Sequence, residues 1–237
     1  MKVLHNLAYY LSVENKIFNY KYFHLTYIGF FQLALTFINM FLLSLGRRSN
    51  YFFGIFLCLS SILMFIELDV YYEATLTTII LVLQFHGFIK WTHLDKNPDN
   101  FTWLSFRQKI YVILICLISV IILYFGYESF IIFVNNIIAN INNTTIRDLL
   151  AHKESYTFVR SPVTHSLIFI LSIVAMFLQN YKKIESWVLW IVIDILYLLF
   201  FVKTGLGAMI FENVVLIMIC LFGFYDWNRK SKLNKKS

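Results

Sequence analysis

Seven stretches of this chain are apolar over nearly the length that a helix needs to cross a bilayer, and no other feature restricts the fold as much. A hydrocarbon core about 30 Å thick takes about 20 apolar residues as helix. It tolerates little else, because each unpaired backbone N–H or C=O there costs several kcal/mol. The stretches lie near 26–45, 51–68, 70–91, 109–135, 163–181, 186–203 and 205–227. Short polar breaks separate them: Arg47-Arg48-Ser49-Asn50, the Glu67/Asp69 neighbourhood, Asp95 to Asn100, Asn142 to Pro162, Lys182-Lys183 and Lys203-Thr204-Gly205. The expected fold is an all-α membrane protein with seven transmembrane helices. The run 109–135 contains Gly126-Tyr127-Glu128 and reads as one tilted or broken span. Residues 136–162 read as a loop with a short surface helix. Residues 1–24 are polar and aromatic and lack the apolar run and cleavage site of a signal peptide, so the first span is expected to direct insertion.

Composition agrees and excludes other classes. Hydrophobic residues make up 59% of the chain and charged residues 14%, against about 25% charged in soluble domains. A single integral membrane domain over 1–237 is expected. The net charge of +7 does not point to nucleic acid, because the basic residues sit at the ends of apolar runs, where they meet lipid headgroups. With seven spans, 13 of the 20 Lys and Arg fall on the side holding Arg47, Lys90, Lys183 and the tail. The positive-inside rule then puts the C-terminus in the cytoplasm and the N-terminus outside. Cys58, Cys116 and Cys220 are far apart, and the six histidines lack HExxH-type spacing, so no metal site is expected. There is no GxxxxGK[ST] phosphate loop, no GxSxG and no aspartate dyad, so neither ATP-driven transport nor an intramembrane enzyme is indicated, and no cofactor is implied.

The chemistry concentrates in the sixth run. Trp187, Trp190, Asp194 and Tyr197 follow one another at intervals of three and four, which places them along one stripe of a helix. A carboxyl inside a span costs about 2.5–3.5 kcal/mol on insertion scales, so Asp194 needs a partner or a watered cavity. Aromatic planes beside a carboxyl suit a flat polar substrate. Thr77 and Gln84 share a face of the third run with Glu73, and Glu212 and Asn213 lie about two turns into the seventh. These eight residues (Trp187, Trp190, Asp194, Tyr197, Thr77, Gln84, Glu212 and Asn213) are the candidate substrate-binding set. Trp91 and Trp227 read as members of the interfacial aromatic belt.

One constant offset, the one that carries Tyr51 onto Trp187, aligns the two halves of the chain. Arg47-Arg48-Ser49-Asn50-Tyr51 falls on Lys183-Ile184-Glu185-Ser186-Trp187, and Gly87-x-x-x-Trp91 falls on Gly223-x-x-x-Trp227. The offset spans four helices, so the repeats point the same way. The layout is a first three-helix unit at 24–91, a linker helix and loop at 105–162, and a second unit at 163–228. This is the 3+1+3 parallel-repeat plan of SWEET-like transporters.

Ile184-Glu-Ser-Trp-Val-Leu-Trp-Ile-Val-Ile-Asp194 with Tyr197 and Lys203-Thr-Gly205, together with Ser49-Asn-Tyr-Phe-Phe-Gly54 and Gly87-x-x-x-Trp91, resembles the PnuC family of vitamin transporters. The resemblance covers about 46–91 and 165–228. It implies uptake of nicotinamide riboside, an NAD precursor, across a bacterial inner membrane. It further implies facilitated diffusion, trapping by cytoplasmic phosphorylation, and a homotrimer embedded in the lipid bilayer. Thr77 and Gln84 stand where the family tends to have Gln and Asn, His165 stands where it has Asp, and Phe88 replaces a Trp. These departures bear on substrate identity, with thiamine or riboflavin as alternatives. A pyridinium cation suits an aromatic box, thiamine does so equally, and riboflavin is neutral and bulkier. Proton-coupled uptake through Asp194 or Glu212 is the other alternative.

Overall fold

The computed structural model describes residues 16–20, 23–67, 71–94, 99–142, 162–204 and 207–234. Among them, seven long helices dominate: α1 (Tyr27–Ser44), α2 (Asn50–Glu67), α3 (Tyr71–Ile89), α4 (Phe106–Asn142), α5 (Pro162–Asn180), α6 (Glu185–Thr204) and α7 (Gly207–Asn234). Tyr27–Ser44, Glu73–Thr92, Phe106–Gly126, Glu185–Lys203 and Gly207–Asn234 are long and apolar enough to cross a membrane, while α2 and α5 carry shorter apolar stretches at Asn50–Ile66 and Ser166–Asn180. Two differences from the sequence expectation stand out. An antiparallel hairpin, β1 (Lys16–Tyr20) and β2 (Phe23–Thr26), precedes α1, so the described chain is not purely helical. Its aromatic and β-branched residues favour extended backbone. The fourth helix also outruns its expected span: it passes through Gly126 as one helix and continues to Asn142, into the segment read as a loop, 37 residues in all, or about 55 Å at 1.5 Å per residue. One glycine costs a helix only about 1 kcal/mol, too little to end it. Residues 143–161 and Gly205 lie outside the described residues, as does the side chain of His165.

Local sequence explains where helices start and stop. Thr26 caps α1, its hydroxyl accepting from the Gly29 N–H at 3.0 Å, which satisfies one of the donors left free at a helix start. At the far end of α1, Gly46 N–H reaches Leu43 O and Arg47 N–H reaches Leu42 O, with Gly46 at φ 74°. This is a Schellman closure, whose left-handed residue favours glycine. Helix α5 closes the same way, Lys182 N–H to Gln179 O and Lys183 N–H to Leu178 O, but the left-handed position is Lys182 at φ 53°.

The helices pack α1 on α2 on α3, and α5 on α6 on α7. Two contacts join these trios, α1 with α7 and α3 with α5. Helix α4 lies outside against α5 and also touches α3. None of its residues from Phe106 to Gly126 is buried. Large apolar side chains such as Ile113, Ile122 and Phe125 face outward from it, as expected for a surface in lipid rather than water.

One end of the bundle is closed by aromatic packing. Tyr51, Trp91, Phe101, Trp187 and Trp227 are buried together with Leu43, Met176, Ile184 and Cys220. Residues 99–105, ahead of α4, form a strap across this end. Thr102 forms a bridge with Lys183, giving its N–H to Lys182 O and taking the Ile184 N–H. The Leu104 N–H is held by both Glu185 oxygens, and Lys109 pairs with the same carboxylate at 3.2 Å. Asp99 pairs with Lys230 at 3.4 Å. Phe101 stacks on Trp227 with centroids 4.2 Å apart and lies against Gly46 of the first trio.

Candidate substrate site

Helix α6 presents its four candidate residues in two rows rather than one. Seven residues are nearly two full turns, so Trp187 and Asp194 point within about 20° of each other, as do Trp190 and Tyr197, while a step of three rotates by about 60°. The first row faces α7. Trp187 is fully buried, covers Gly223 and meets Trp227 edge-on at 5.3 Å. Asp194 is buried and takes the Cys220 thiol at 3.5 Å. The second row packs against α5 beside Ile168, Leu171 and Ala175. Trp190 is partly buried and donates its indole N–H to Gln179 Oε1 at 3.0 Å. Tyr197 stacks on Phe201 with centroids 5.9 Å apart.

The remaining candidates divide similarly. On α3, Gln84 is buried, its amide lies over Gly54 of α2, and its Oε1 has no hydrogen-bond partner among the described residues. Thr77 is half-buried, and its hydroxyl is satisfied within its own helix by Glu73 O at 2.8 Å. On α7, Asn213 is buried and donates to Met209 O at 2.8 Å. Glu212, beside it on α7, is partly buried. The structure thus brings Trp187 and Asp194 to the α6–α7 contact, sets Trp190 and Tyr197 on α5, and leaves Thr77 and Gln84 on the α3 side of the other trio. Among the described residues, no group of three His, Cys, Asp or Glu side chains could hold a metal ion.

Sequence reasoning missed a polar node at the end of α5. Asn180 accepts the Tyr51 hydroxyl at 2.9 Å, donates to Leu83 O at 2.8 Å, and takes the Trp91 indole N–H on its backbone oxygen at 3.1 Å. Those partners all belong to the first trio. Adjacent Gln179 holds Trp190 on the second. In one dimension Gln179-Asn180 looks like an ordinary polar end to a span. Only the pairing of partners 129 residues apart reveals its role.

Comparison with known proteins places this arrangement. Residues 26–229 match the family model described as nicotinamide mononucleotide transporter. The chain belongs to the nicotinamide mononucleotide transporter family. It is 25% identical over 194 residues to the nicotinamide riboside transporter PnuC of Escherichia coli (strain K12), covering 78% of each chain. The PnuC of Shigella flexneri gives the same figures. In fold, the chain is similar to the crystal structure of the vitamin B3 transporter PnuC, with a TM-score of 0.56 at 19% identity, over 85% of this chain and 82% of that one.

Proposed function

We propose that this transporter carries nicotinamide riboside by facilitated diffusion, with a cytoplasmic kinase trapping the product. The single observation that carries the reading is Trp190. Its indole turns into the bundle, stays only partly buried and has its N–H fixed, while the Asp194 carboxyl stands one turn away. A π-face beside a carboxyl is complementary to a pyridinium cation carrying a ribose. Trp187, Tyr197, Gln84, Thr77, Glu212 and Asn213 complete the proposed site. The PnuC relatives, named as nicotinamide riboside transporters, support the substrate.

A 3+1+3 SWEET-like repeat with seven spans accounts for the architecture. Asn50 and Glu185, the first residues of α2 and α6, lie within one position of the offset that carries Tyr51 onto Trp187. Tyr51 covers Gly87 as Trp187 covers Gly223. Tyr51 meets Trp91 at 5.3 Å and 79°, and Trp187 meets Trp227 at 5.3 Å and 83°. The joining contacts, α1 with α7 and α5 with α3, exchange under the same operation. Transport then proceeds by rocking of the trios about a midplane site. Arg47, Arg48, Lys109, Lys183, Arg229 and Lys230 gather at the strapped end, which supports a cytoplasmic C-terminus in a bacterial inner membrane. The homotrimer stays part of the proposal.

The test is uptake of labelled nicotinamide riboside into proteoliposomes, with calorimetric titration of the purified protein against nicotinamide riboside, thiamine and riboflavin. Saturable binding and flux for nicotinamide riboside, both lost in Trp190→Ala, are expected. Equal flux in wild type and Trp190→Ala would remove the site, and tighter binding of thiamine would remove the substrate.

A further inference from the structure

The Trp190 indole N–H has a side-chain acceptor, whereas the buried indole N–H groups of Trp187 and Trp227 have no hydrogen-bond partner among the described residues. The Trp190 acceptor is Gln179 Oε1 at 3.0 Å, and Gln179 is itself buried. The Gln179 backbone is fixed in turn by its neighbour Asn180, which is tied to Tyr51, Leu83 and Trp91 of the other trio. The indole is therefore fastened through two residues to the opposite half of the molecule.

The matching place in the first trio argues that this fastening exists for the indole. The offset that carries Tyr51 onto Trp187 also puts Leu43 at Gln179, Ser44 at Asn180 and Gly54 at Trp190. Leu43 is apolar, the Ser44 hydroxyl bonds back to Phe41 O at 2.7 Å within its own helix, and Gly54 has no side chain to hold. The amide pair occurs where the tryptophan occurs and is missing where the tryptophan is missing. An amide needed merely to close a helix end would have appeared in both trios, since both ends close with the same Schellman bonds.

We propose that Gln179 is a positioning residue for substrate: it sets the plane of the Trp190 indole and links that plane to the first trio through Asn180 and Tyr51. The proposal rests on Trp190 being part of the substrate site, so the experiment is a double-mutant cycle that tests the two ideas separately. Nicotinamide riboside binding is measured by calorimetry on the purified full chain for wild type, Gln179→Met, Trp190→Phe and the double variant. Methionine keeps the length of glutamine and removes the acceptor. Phenylalanine keeps a ring and removes the N–H. Gln179→Met is expected to weaken binding about 5- to 10-fold, the equivalent of one lost hydrogen bond. The same change made on Trp190→Phe is expected to weaken it no further. Two results would overturn the positioning role while leaving the site intact: Trp190→Phe weakens binding but Gln179→Met does not, or Gln179→Met weakens it by the same factor in both backgrounds. If Trp190→Phe binds like wild type, the site reading fails and the positioning role goes with it.

Discussion

Gly223→Ala is the most economical perturbation of the closed end. A Cβ at this position would sit 2.5 Å from Trp187 Cζ2, 2.6 Å from Cη2 and 2.7 Å from Cε2. All three atoms belong to a rigid ring that is 0% exposed and has Trp227 edge-on beside it, so no flexible chain end is available to yield. Forcing an extra carbon into such a core costs typically ~1–3 kcal/mol. For a chain of this size that lowers Tm by ~2–12 °C. The control is Gly126→Ala on α4, where a Cβ meets nothing within 4 Å. There the better helix propensity of alanine predicts a Tm that is unchanged or a few degrees higher. The assay is thermal unfolding in detergent, followed by intrinsic fluorescence. Trp187→Phe added to Gly223→Ala withdraws the obstructing ring atoms and is expected to regain part of the loss. The reasoning fails if Gly223→Ala melts with Gly126→Ala, or if Trp187→Phe merely adds its own loss to that of Gly223→Ala.

Lys182 is held well below the ordinary lysine range, near 8, by burial and then by the nearby Lys230 charge. The unfolded chain therefore binds more protons between about pH 8 and 10.5, and stability rises with pH across that window. Wild type is expected to gain Tm there relative to Lys182→Met, whereas parallel curves would show that burying the side chain does not penalise its charge. Phe101→Ala empties a 1% exposed position and should cost about 3–5 kcal/mol. Phe106→Ala, at 78% exposure on the lipid-facing α4, should leave the melting curve within about a degree of wild type by the same reasoning. Equal losses in the two variants would contradict the burial argument.

Helix positions were readable because bilayer crossing and backbone pairing leave one solution for each apolar run. The starts of α2 and α6 fall within a residue of expectation. The sequence left α4 open between one tilted span and a broken one at Gly126, and its extension to Asn142 was not readable, because the polar residues after 135 look like the start of a loop. Helical spacing put Trp187, Trp190, Asp194 and Tyr197 on a single stripe of α6. It could not say that the modest rotation between the two rows sends one pair to α7 and the other to α5, since that depends on which neighbours stand there. Gln179, Asn180 and Tyr51 left no trace in the linear pattern because their partners are distant in sequence. The glycine-like backbone of Lys182 was equally hidden, lysine being a poor residue for it.

The strap ahead of α4 has a mechanical consequence. Phe101 rests on Gly46 of the first trio, while the strap's hydrogen bonds and ion pairs reach Lys182, Lys183, Ile184, Glu185, Asn228, Lys230 and Asn234 of the second. If the two halves swing apart at this end, the strap must travel with α5, α6 and α7, and the seam opens between Phe101 and Gly46. Along that seam, Lys230 releases Leu45 O, and Asn180 releases Tyr51 and Trp91. On the proposed rocking motion, the latch at this end would be a handful of hydrogen bonds and one sliding aromatic ring.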